Sequence, residues 1–150
     1  MKRALFFLLT AMVSSGTLQA RPLNMDEQQA VEKMIQAERA GQKISFIHQD
    51  FPYPEQSFTY CGYLITQQGR DAGVKQLFAT FMGVDQQGDV LTASFNTDGA
   101  TGEPTDANKL AFLCASAGYD LPVKAIYFDG LNQTREKSGI PLLDKRYRVN

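Results

Sequence analysis

The chain has no tryptophan, one histidine and only two cysteines in 150 residues, and no apolar run long enough to span a bilayer. Each scarcity excludes something. With His48 alone and two thiols there is no ligand set for a zinc centre. Cys61 and Cys114 stand in neither a C-x-x-C pair nor a Gly-flanked nucleophile turn. A G-x-S-x-G elbow, a Walker loop and a dinucleotide-binding glycine motif are all missing. Charge of one sign is scarce too: fifteen Lys and Arg face sixteen Asp and Glu. That balance offers no basic patch for nucleic acid and no attraction to an anionic membrane surface.

What is present begins with a leader pattern. Lys2 and Arg3 supply a positive start, Ala4 to Val13 an apolar stretch, and Ser14 to Ala20 a small, polar run ending in alanine. This is the layout of a secretory signal, so cleavage is expected after Ala20, with residues 1–20 removed. The expected product is a single domain, 21–150, in the periplasm or outside the cell, with no stable membrane insertion. Loss of Lys2 and Arg3 leaves thirteen basic side chains against sixteen acidic ones, a net charge near −3. No cysteine sits at the junction, so a lipid anchor is not implied.

Export changes how the thiols read. In an oxidising compartment, two cysteines in a small domain are expected to pair. A Cys61–Cys114 bridge would constrain a loop of some fifty residues, which chain-entropy reasoning values at roughly 3–4 kcal/mol. The competing assignment is a Cys61 nucleophile with His48 as base and Asp50 as its acid. The staple is favoured, because neither cysteine has a catalytic sequence context.

Asn24 followed by Glu27 is a capping box, and Val31, Met34 and Ile35 continue at helical spacing to Gly41, predicting a helix over 25–40. Strand patterns follow at 43–48, 57–65, 74–84 and 89–96. The last two form a hairpin around Gln86-Gln87-Gly88 whose register the pattern leaves open: a three-residue loop pairs Phe81 with Ala93 but sets Asp85 against Asp89, which repels. Thr105 or Asp106 caps a second helix whose inner face carries Ala107, Leu110, Ala111, Cys114 and Ala117, ending at Gly118. "PVKAIYF" (122–128) reads as a last strand and 129–150 as an irregular tail. The expected fold is therefore α+β: an antiparallel sheet of about five strands with two helices on one face, order α-β-β-β-β-α-β, and one disulfide. In "FTYCGYLI" (58–65) both faces are apolar, so that strand is either covered on two sides or presents tyrosines to a partner.

No cofactor or metal is implied. "NTDGATGE" (96–103) has the oxygens and glycines of a cation loop but not the D-x-D-x-D-G order. The most partner-like feature is the aromatic, proline-bracketed segment with Phe51, Tyr53, Tyr60 and Tyr63 as binding residues; rigid rings cover area at low entropic cost. The loop 97–104 is a second contact candidate. "DKRYR" (144–148) reads as a solvated strip, and the sequon Asn132-Gln133-Thr134 is discounted because the leader has a bacterial look. Together these features predict a small, exported, non-catalytic module that binds another protein. An inhibitor, an immunity protein or an accessory subunit of the bacterial envelope would fit. The alternative is a small secreted hydrolase using His48 or carboxylates such as Asp50, Glu55 and Asp71.

Overall fold

The computed structural model describes residues 20–150; residues 1–19 of the expected leader lie outside the described residues. Helix α1 spans Met25–Glu38, started by the expected capping box. The Asn24 side chain accepts the Glu27 amide, and the Glu27 carboxylate accepts the Asn24 amide while pairing with Arg21 at 2.9 Å. Four strands follow, β1 (Ile44–Ile47), β2 (Thr59–Thr66), β3 (Lys75–Val84) and β4 (Val90–Ser94). They form one antiparallel sheet in the order β1-β2-β3-β4. Short connections permit this meander, since antiparallel neighbours need no crossover.

The β3–β4 register, which the hairpin pattern left open, has Phe81 opposite Ala93. The repulsion expected between Asp85 and Asp89 is relieved locally. The Asp85 carboxylate folds back to accept the amides of Gln87 and Asp89, and Gly88 takes the left-handed turn position at φ +88°.

Side chains alternate along a strand, so Tyr60 and Cys61 leave β2 on opposite faces. Tyr60 is linked through His48 to Glu32 on α1, whereas Cys61 is bonded to Cys114 on α2 (Ala107–Ser116). The two helices thus cover different faces, which corrects the expectation of helices on one side. β2 is the strand covered on both. Tyr60, Leu64, Phe78 and Met82 fill the α1 side with Val31 and Ile35; Cys61 and Ala79 meet Leu110, Cys114 and Ala115 on the other.

The largest departure is at the C-terminal end. Only Val123–Lys124 is strand (β5), and the chain then turns into a third helix, α3 (Ala125–Lys137), where an irregular tail was expected. A 3-10 turn at Lys145–Tyr147 leads to β6 (Arg148–Val149), which pairs with β5 in parallel. The sheet therefore has four strands with a separate two-stranded pair, and there are three helices among the described residues.

Arg135 explains α3. Its inward face is Phe128, Leu131 and Arg135, helical spacing with a cation at the third position. The buried guanidinium donates to the carbonyls of Ala115, Tyr119 and Pro141 and contacts the Asp120 carboxylate at 3.3 Å. It adds a second donor to the Ala115 carbonyl, which the Gly118 amide also reaches, and ties the end of α2 to the carbonyls of Tyr119 and Pro141.

Candidate functional site

The four aromatic residues expected to bind do not make one surface. Phe51 and Tyr60 are buried, at 2% and 0% exposure, with their rings edge-on at 6.0 Å, so neither can touch a partner. Their removal from the contact surface follows from the double coverage of β2. Tyr53 is half-buried with its ring against Gly118. Tyr63 is also half-buried, under the Lys75 ammonium 4.0 Å from its ring centre. The aromatic segment is core and core edge.

His48 lies in a hydrogen-bonded chain. Its Nε2 is 2.8 Å from Glu32 Oε1 and its Nδ1 3.0 Å from the Tyr60 hydroxyl. The hydroxyl also accepts the Gln49 amide at 3.0 Å. The connectivity is that of an acid–imidazole–hydroxyl relay. Its hydroxyl, however, is sealed in the core, and burial pushes it up to about 12, the opposite of an activated nucleophile. Both ring nitrogens are engaged, and both cysteines are in the disulfide.

The carboxylates suggested for hydrolysis are dispersed. Asp50 and Glu55 lie in the β1–β2 connection, Asp71 in the β2–β3 loop. Eight residues of β2 separate these ends, roughly 25 Å of strand. Glycoside cleavage needs carboxyl groups about 5–10 Å apart, so Asp71 cannot pair with the other two. In the 97–104 loop, Asp98 Oδ1 accepts the amides of Ala100 and Thr101, and these bonds hold its carboxyl below the usual range.

The same loop borders a cleft between β4, α2 and α3. It has a volume of about 710 Å³, within the 300–1,000 Å³ common for ligand sites. Phe95, at the exit of β4, Leu110, Phe112 and Leu113 on α2, and Tyr127 on α3 supply its apolar walls. Phe112 and Tyr127 meet edge-on with centroids 6.2 Å apart. Thr97, Thr105, Asn108 and Lys109 add the polar and charged groups.

No protein-family model, curated protein or solved structure matches this chain.

The loop is hydrogen-bonded within itself. Thr97 bridges Pro104; the Asp98 amide donates to Glu103 O at 2.8 Å, and the Gly102 amide to Asp98 O at 2.7 Å. The Thr105 amide donates to Asn96 O, closing the base. Residues 98–104 are nonetheless all exposed. The sequence held a usable signal for the cleft: Leu110 to Ala115 is apolar all round the helix, so α2 needs cover beyond the sheet. Tyr127 was hidden by its assignment to a strand. The sequon asparagine is occupied: Asn132 clamps Leu143, accepting its amide at 2.8 Å and donating to its carbonyl at 3.3 Å.

Proposed function

We propose that this chain is a small, exported, non-catalytic module that binds another protein through the 97–104 loop. The observation that carries this reading is a loop exposed from residue 98 to 104 and hydrogen-bonded within itself. A contact loop that is already ordered loses little conformational entropy on association, which is what a tight inhibitor or immunity protein requires. The leader pattern supports export. The Cys61–Cys114 disulfide is compatible with a periplasmic or extracellular protein, and no described helix is long and apolar enough to cross a membrane. The hydrolase alternative gains nothing from a histidine engaged at both nitrogens.

The test is site-specific crosslinking. A photo-reactive residue at Thr101 should give one dominant adduct in the producing cell, whereas the same group at Lys33 on α1 should not. The partner so identified is then purified, and its affinity measured for Thr101→Arg and Gly99→Arg at unchanged unfolding midpoint. At least a tenfold loss is expected. Equal crosslinking at both positions, or unaltered affinity, rejects the loop as the contact.

A further inference from the structure

We infer that the folded domain seals its own processing junction, so that a leader-bearing precursor is cut at Ala20–Arg21 only while the chain is unfolded. The inference rests on the leader reading and adds to it the order of events: processing first, folding second.

Hydrolysis adds water across the Ala20–Arg21 amide. Ala20 takes the carboxylate, and the Arg21 nitrogen leaves as an amine that gains a proton in neutral water. The leaving nitrogen is therefore the backbone nitrogen of Arg21, and the fold already holds it. That N–H donates to the Phe51 carbonyl at 3.0 Å, and the Phe51 N–H donates back to the Arg21 carbonyl at 2.6 Å. An antiparallel bridge thus begins at the first residue after the cut, with no spacer.

The side chain is held as well. Its guanidinium forks onto both oxygens of the Glu27 carboxylate, at 2.9 Å each, and lies 5.6 Å from the Phe51 ring centre. Glu27 cannot follow Arg21 outward, because it also accepts the Asn24 amide in the α1 capping box and is buried. Leu23, the third residue past the junction, is in the core. Ala20 and Pro22 are exposed, so the hold is on Arg21 itself.

A peptidase takes the residues on both sides of a bond into its own site, and access follows the burial and hydrogen bonding of that backbone. In the folded domain Arg21 must first release its bridge to Phe51 and its charge-assisted fork, leaving a buried carboxylate without its cation. The unfolded chain has none of these contacts to break. After the cut, the new ammonium at Arg21 can keep the bond to Phe51, now charge-assisted.

The experiment uses the whole 1–150 chain, purified with its leader in mild detergent, disulfide formed, and a bacterial leader peptidase in the same detergent. Leu64→Asp puts a carboxylate into the core and supplies an unfolded precursor under identical conditions, checked by circular dichroism. Cleavage after Ala20, identified by N-terminal sequencing, should be about a hundredfold slower for the folded parent than for the unfolded chain. A flexible Gly/Ser insert between Ala20 and Arg21 leaves the anchored residues in place and should return the folded chain to the unfolded rate. Arg21→Ala/Glu27→Gln removes the fork without stranding a carboxylate, and its folded form should be cut about tenfold faster than the folded parent. Equal rates for folded and unfolded parent, an insert that restores nothing, or a folded double variant no faster than the parent would each overturn the inference. An unfolded chain left uncut at Ala20–Arg21 would remove the leader reading, and the inference with it.

Discussion

The Tyr119 hydroxyl accepts the backbone N–H of Cys61 at 3.0 Å, so the half-cystine on β2 is held twice from the α2 side. β1 ends at Ile47, opposite Tyr63, and Cys61 lies beyond the reach of that strand. Tyr119 takes the place of the missing ladder partner. Tyr119→Phe keeps the ring and orphans a buried amide, which should cost about 1–3 kcal/mol. Denaturant unfolding at unchanged m-value should show that loss, with faster hydrogen exchange at the Cys61 amide.

Removing the disulfide should cost more. Its half-cystines are 53 residues apart in sequence, and the loop-entropy relation gives about 4 kcal/mol for a closure of that size. Small domains have about 5–15 kcal/mol in all, so Cys61→Ala/Cys114→Ala should be marginal rather than merely weakened. Urea titration of the double variant beside the oxidised parent measures the difference.

Alkali should unfold the protein in a defined window. Burial raises the Tyr60 phenol to about 12 and moves Tyr119 further in the same direction. In the unfolded chain both ionise near 10. Above pH 10 the unfolded state therefore releases protons that the folded state retains. The Tyr60 contribution is complete below pH 10 and disappears between pH 10 and about 12, a loss of about 2–3 kcal/mol. Urea midpoints across that window should fall steeply for the parent and less steeply for Tyr60→Phe. Equal slopes would show that Tyr60 ionises normally.

Gly118 ends α2 at φ +104°, with the Tyr53 ring where a Cβ would stand. Gly118→Ala should therefore destabilise twice, by about 1–2 kcal/mol of backbone strain and about 1–3 kcal/mol of overpacking. Adding Tyr53→Ala should remove the second part and leave the first. A double-mutant cycle on unfolding free energies separates them, and simple additivity would mean that the ring is not the obstacle.

Where neighbours in the chain decide the structure, the sequence was sufficient. Asn24 and Glu27 start α1 because their side chains and amides satisfy each other within one turn, whereas the Phe81–Ala93 register, which strand alternation alone left open, goes with the Asp85 carboxylate folding back onto the turn. The Cys61–Cys114 bridge was legible from there being two thiols in a chain with an export pattern. α3 was not legible, because Ala125 to Phe128 has strand-like residues while the helix's inner face includes a charged Arg135. That arginine is stable inside only because three carbonyls from elsewhere in the chain and one carboxylate converge on it.

The site divides along the same line. Composition alone established the scarcity of catalytic groups and the 97–104 loop as a polar, glycine-rich connection. Packing decided which aromatic rings are available: Phe51 and Tyr60 became core when helices closed over opposite faces of one strand, and Tyr127 reached a cleft when α3 turned back against α2. Local order depends on groups a few residues apart. Burial depends on groups brought together from across the chain, and a linear pattern cannot record which of them arrive.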